Sequence, residues 1–130
     1  MNATALARLK RLAGKQTLLL THYGRKSGKP YEVRIWFVVD GDRVYIATAN
    51  AQRQWVKNVR KTPRIKLCVG GEMFEAEAEF LTDPADRGQA LRAIYRKYRI
   101  FFPFFAMLKL LIATGVMPAR SGAFEVTLVA

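Results

Sequence analysis

Two glycines, three cations and a hydroxyl fall within one short stretch, Gly24-Arg25-Lys26-Ser27-Gly28-Lys29-Pro30. Glycine lets the backbone turn tightly and bring its N–H groups close to an anion, while Arg25, Lys26 and Lys29 supply charge and Ser27 a neutral donor. Such a turn suits a phosphate group. It is not a P-loop, because the spacing to the lysine differs and no helix with Ser or Thr follows. A solvated basic hairpin has the same composition and stands as the alternative.

Other side chains with chemical potential are scattered along the chain. Trp36 shares a strand face with Glu32 and Arg34, so that face is not a dry core. Trp55 is either a core anchor or an aromatic plate for a flat ligand. Tyr95 and Tyr98, three apart, can hydrogen-bond a developing oxyanion as ordinary phenols, or can simply pack with their hydroxyls at an edge. His22 reads as a surface or hydrogen-bonded strand histidine beside the turn. Cys68 alternates with Arg64 and Lys66 and is expected to point outward. One histidine and one cysteine in the whole chain make a transition-metal site an unsuitable reading.

The composition bounds the partners. Twenty-two basic residues against ten acidic ones give a net charge of +12, which attracts phosphates, nucleic acids or anionic headgroups. No nucleic-acid motif accompanies the charge, so no specific nucleic-acid partner is expected. The excess is uneven: residues 1 to 31 hold seven basic side chains and no acid, whereas Glu72, Glu75, Glu77 and Glu79 crowd one segment. A lone cysteine excludes an internal disulfide and agrees with a cytoplasmic location. No signal peptide is read at the N-terminus.

The elements that must position these residues follow from periodicity. Ala3 to Leu12 reads as an amphipathic helix, with Leu6, Leu9 and Leu12 at three-residue spacing. Gln16–Tyr23, Tyr31–Val39 and Arg43–Ala49 read as strands, the last two joined through Asp40-Gly41-Asp42. Asn50 is expected to cap a short helix carrying Trp55 and Val59 on one side, with Arg53, Lys57, Arg60 and Lys61 around the wet side. Arg64–Val69 and Met73–Leu81 form a hairpin about Gly70-Gly71, which predicts Lys66 opposite Glu75, Arg64 opposite Glu77, Leu67 opposite Phe74 and Ile65 opposite Ala76. Asp83-Pro84 opens a helix on which Leu91, Ile94, Tyr95, Tyr98 and Phe102 share helical spacing, with Arg92, Arg96, Lys97 and Arg99 on its surface. Ser121–Val129 closes the chain as a strand. The fold class is α+β: one domain over residues 1–130, built as a mainly antiparallel closed or split barrel with peripheral helices.

Residues 100 to 117 hold a phenylalanine-rich apolar run broken by Pro103 and Lys109. It is too short and too interrupted to span a bilayer. A buried helix or dimer contact and a peripheral contact with anionic membrane are the two readings.

The string Thr21-x-x-Gly24-Arg25-Lys26-Ser27-Gly28-x-Pro30, an aromatic strand ending at Asp40-Gly41, and Trp55-x-x-Asn58-x-x-x-x-Pro63 together resemble the deazaflavin-dependent nitroreductase family over roughly residues 16 to 83. The resemblance implies an FMN-binding type of split β-barrel that passes hydride from reduced coenzyme F-420 to a lipophilic acceptor: a quinone, an enone or a nitro compound. It implies that Lys26 and its turn (Gly24, Arg25, Ser27, Gly28) hold the cofactor phosphate, and that Trp36, Ala47, Trp55 and Asn58 surround the ring. Tyr95 and Tyr98 would line the substrate pocket as catalytic residues. Tyr31 stands where the family's nitroreductases have an arginine, Arg34 where they have a proline and Asn50 where they have a lysine. Arg34 and Asn50 are counted with the cofactor residues, Arg34 as a replacement cation. FMN is the alternative cofactor, a non-catalytic fatty-acid or amphiphile binder the alternative function, and pairing into a homodimer the expected assembly.

Overall fold

Alternation along the strands decides the architecture. The computed structural model describes residues 1–98 and 121–130. Its elements are α1 (Ala3–Arg11), β1 (Thr17–Tyr23), β2 (Pro30–Asp40), β3 (Arg43–Thr48), α2 (Gln54–Lys61), β4 (Arg64–Val69), β5 (Glu72–Phe80), α3 (Pro84–Tyr98) and β6 (Gly122–Leu128). The strands pair in the order β1-β2-β3-β6-β5-β4 and β4 returns to β1, so the sheet closes into an all-antiparallel barrel with no free edge. The expected α+β barrel with peripheral helices is the observed fold.

The β4–β5 hairpin has the register expected from its charges and apolar residues: Lys66 faces Glu75, Arg64 faces Glu77, Leu67 faces Phe74 and Ile65 faces Ala76. Gly70 and Gly71 both hold positive φ, 55° and 85°. A two-residue turn of that hand matches the twist of the strands it joins, and L side chains resist it.

One face of every strand fills the barrel. Leu18, Leu20, Phe37, Ile46, Leu67, Phe74 and Phe124 meet there, and α1 adds Ala5, Leu6 and Leu9. A fully buried phenylalanine such as Phe37 contributes about 2–3 kcal/mol of transfer free energy. A second, outer cluster forms where α3 lies over the sheet: Val38, Tyr45, Ala47 and Ala123 pack against Ala90, Ala93, Ile94 and Tyr98. The second half of β2 and most of β3 are thus covered on both faces. That explains why Phe37-Val38 and Val44-Tyr45-Ile46-Ala47 read as continuous apolar runs rather than alternations.

Asn2, not an acidic first turn, starts α1: its Oδ1 accepts from Ala5 N at 2.9 Å. The cap expected at Asn50 is not there. Helix α2 begins at Gln54 after Arg53, which makes no side-chain cap bond, and Asn50 Oδ1 accepts from Gln52 N at 2.9 Å in the preceding turn. Asn50 closed its own local turn before the helix could start, the usual competition for a short polar side chain. The expectations for Arg99, Phe102 and the 100–117 segment lie outside the described residues.

Candidate functional site

Helix α2 is amphipathic in the extreme. Trp55, Val56 and Val59 enter the interior cluster at one end of the barrel, while Arg53, Gln54, Lys57, Arg60 and Lys61 remain exposed. Trp55 tilts against Phe124 with ring centroids 5.7 Å apart, so it is a core anchor. Its rim has a second neighbour. A cleft of about 830 Å³, within the roughly 300–1,000 Å³ of small-molecule sites, is lined by Trp55 and Asn58 on α2 and by Gly24, Arg25, Lys26 and Ser27 on the turn after β1.

The turn is shaped by its glycines. Gly28 has φ +68°, and a Cβ on Gly24 would meet Ser27 Oγ at 2.8 Å and Tyr31 Cε2 at 3.2 Å. Within the turn Gly24 N donates to Lys29 O, Gly28 N to Gly24 O, and Lys29 N to Ser27 Oγ. The N–H groups of Arg25, Lys26 and Ser27 have no partner among the described residues, which leaves successive backbone donors for an anion.

Arg25 staples the turn to α2. Its guanidinium donates to Gln54 Oε1 at 2.7 Å, Asn58 Oδ1 at 3.0 Å and Gln54 O at 3.4 Å, and Lys61 Nζ donates to Arg25 O at 3.0 Å. Three donor–acceptor contacts from one planar fork fix an otherwise exposed loop. Lys26 and Arg53 have no hydrogen bond or ion pair among the described residues, yet both line the cleft. Glu32 is the acid on its wall.

His22 belongs to the site, which its sequence context did not disclose. It is buried, stacks on Tyr31 at 5.9 Å, and its Nδ1 lies 3.1 Å from Asn58 Nδ2. Desolvation holds its pKa below the ordinary histidine value. The available signal was its position: Leu18, Leu20 and His22 form one inward row of β1, and a polar residue on such a row requires a partner. Arg53 and Lys61, read as wet-side cations, are exposed as expected but face the cleft.

The remaining expected residues lie elsewhere. Gly28 shapes the turn without lining the cleft. Arg34 is exposed, does not line the cleft and donates to Thr17 Oγ1 at 3.1 Å. Asn50 is held in its own turn. Trp36 and Ala47, cross-strand partners, belong with Tyr95 and Tyr98 to the outer cluster under α3, where Trp36 stacks on Tyr98 at 5.2 Å.

Tyr98 is fully buried. Its hydroxyl accepts from Phe37 N at 3.3 Å and reaches the carbonyls of Gln16 and, at 3.2 Å, Phe37. Burial pushes its pKa up to about 12, partly opposed by the bond accepted from Phe37 N, where an ordinary phenol was expected. Lys97 also departs from expectation: instead of lying on the surface it is half-buried over the Phe37 ring, 3.6 Å to the centroid, with Nζ donating to Phe37 O at 2.8 Å. Desolvation lowers its pKa to about 8.

Residues 2–102 match the family model described as F420H(2)-dependent quinone reductase. The chain belongs to that family. It is therefore an oxidoreductase of the coenzyme F-420 type. Solved structures share the fold at low identity: a conserved hypothetical protein of Mycobacterium tuberculosis (18% identical, TM-score 0.72, covering 95% of this chain and 80% of that one); a reductase dependent on reduced F-420 (19%, TM-score 0.63, 87% and 95%); and the haem storage protein HutZ of Vibrio cholerae (14%, TM-score 0.67, 95% and 89%). Barrels of this kind thus accompany different cofactors, so the site rather than the fold must distinguish them. Among the described residues no cluster of His, Cys, Asp or Glu could hold a metal, and no helix is long and apolar enough to cross a membrane.

Proposed function

We propose that this quinone reductase family member transfers hydride from reduced F-420, held in the cleft between the Gly24–Gly28 turn and α2, to a lipophilic acceptor of the quinone, enone or nitro class. The observation that carries the reading is the pair of cations, Lys26 and Arg53, without partners among the described residues, lining the same cleft as the three turn residues whose N–H groups have no partner among them. Cations and backbone donors held ready in this way suit a phosphate diester. When bound, the cofactor supplies the hydride; the protein supplies position and field.

Each side chain then has a defined task. Lys26, Arg53 and the N–H groups of Arg25, Lys26 and Ser27 bind the phosphate. Arg25 holds the turn against α2 and sets the distance between the anion subsite and Trp55. The rim of Trp55 offers an apolar plate to the flat ring, and it is immobilised by its contact with Phe124. Gly24 keeps the cleft wall free of a Cβ.

Fluorescence titration with oxidised F-420, with FMN and a long-chain fatty acid as competitors, tests the reading. Micromolar or tighter binding of F-420, displaced poorly by the other two, is the expected result. Preference for FMN or fatty acid would replace the reading with that of a flavin or amphiphile carrier.

A further inference from the structure

His22 occupies a position where the pleat of β1 asks for an apolar side chain. It follows Leu18 and Leu20 on the inward row, and all three are buried. A polar ring there is costly unless its nitrogens are bonded. Nδ1 is bonded, to Asn58 Nδ2 at 3.1 Å.

The direction of that bond follows from the far end of the amide. A guanidinium can only donate, and Arg25 donates to Asn58 Oδ1 at 3.0 Å, so Asn58 turns its Nδ2 donor toward the ring. Nδ1 must then accept. The single proton of the neutral imidazole resides on Nε2.

Nε2 has no protein partner among the described residues, yet no fully buried side-chain nitrogen or oxygen among them lacks one. The atom is therefore reachable from outside the packed interior, and at His22 the outside is the cleft.

We propose that His22, locked as its Nε2–H tautomer by Asn58 and Arg25, donates a hydrogen bond from Nε2 to an acceptor oxygen of the deazaflavin cofactor. Asn58 and Arg25 are positioning residues that act through the ring. The proposal rests on the reading of the cleft as the F-420 site and adds to it a neutral, directional donor. Its geometry makes one demand beyond charge: the acceptor must lie in line with the imidazole rather than merely near a cation.

The chain has only one histidine, so selective 15N-histidine labelling reports on His22 alone. In the free protein at neutral pH, Nδ1 should show the shift of an unprotonated ring nitrogen and Nε2 that of a protonated one; saturating F-420 should move the Nε2–H proton downfield. A Nδ1–H tautomer, rapid averaging of the two, or a Nε2–H signal that F-420 leaves unmoved overturns the proposal.

Binding provides the second readout. His22→Leu suits the apolar row and should weaken F-420 binding about tenfold, the loss of one hydrogen bond. His22→Gln, which can both accept from Asn58 and donate to the ligand, should recover most of it, a rescue that simple packing would not give. Wild-type affinity in His22→Leu overturns this proposal and leaves the site reading intact, whereas no F-420 binding by the wild-type protein overturns both. Repeating the comparison with the phosphate-free deazaflavin alcohol locates the acceptor. A histidine effect kept with that probe assigns the ring end, and one seen only with F-420 assigns the phosphate end.

Discussion

At the mouth of the barrel Lys26 and Arg53 face a cleft without partners among the described residues, while on the α3 face Lys97 lies over Phe37 with its ammonium donating to a strand carbonyl. The aromatic residues divide in the same way. Trp55 is anchored on Phe124 and lends its rim to the cleft, whereas Trp36 and Tyr98 stack on each other and the tyrosine hydroxyl serves the backbone of Phe37 and Gln16. Cations and aromatics are thus left available at a cleft in one region and committed to architecture in the other. The difference lies in what the hydrogen-bonding groups still have to offer after folding, not in residue type.

The contrast can be broken most forcefully at the mouth. Lys26→Ala with Arg53→Ala should weaken F-420 binding about a hundredfold, the loss of two charge-assisted contacts. Thermal stability should hardly change, because neither side chain has a hydrogen-bond or ion-pair partner among the described residues. Equal affinity by fluorescence titration would erase the distinction between the two regions. The mirror experiment is Tyr98→Phe, which strands the buried N–H of Phe37 and should cost about 1–3 kcal/mol by urea unfolding. Cofactor affinity should stay within about twofold if the outer cluster is architectural; a larger loss would give Tyr98 a place in the site.

Arg25→Ala probes the staple between the turn and α2. Losing its contacts to Gln54 and Asn58 should lower stability by about 1 kcal/mol and affinity about tenfold. Arg34→Ala, by comparison, should leave affinity unchanged, since Arg34 is tied to Thr17 outside the cleft.

The smallest effect is a change of slope. Lys97 has a folded pKa of about 8 against 10.5 for an ordinary lysine, so between those values the unfolded chain binds more protons and stability rises with pH. Tyr98 has the opposite sign. Its pKa of about 12 against 10.0 means that the folded state keeps a proton that the unfolded chain loses, so stability falls as pH climbs from 10 toward 12. Between pH 8 and 10 only the lysine contributes, and urea unfolding there should show a rise that Lys97→Met abolishes.

The barrel and the candidate anion-binding turn were legible in the amino-acid sequence alone. Period-two alternation specifies which face of each strand is apolar, Gly70-Gly71 fixes the β4–β5 register to the residue, and the Gly24–Pro30 composition announces phosphate chemistry, because these are local properties of backbone and side chain. The family string added Trp55 and Asn58. Which aromatic residues meet the cleft was decided only by closure of the sheet: Trp36, on a strand face shared with Glu32 and Arg34, is the better candidate in sequence, but α3 packs against it while α2 brings Trp55 to the cleft. For Arg34, strand alternation gives a face and says nothing of how far along it a ligand reaches; folding ties its side chain to Thr17. His22 became part of the site because α2, thirty-six residues further on, brings Asn58 to one of its nitrogens. No local pattern encodes such a distant hydrogen bond. It exists only once the hydrophobic face of α2 has been buried against the barrel, which fixes the polar side chains of the helix relative to the turn.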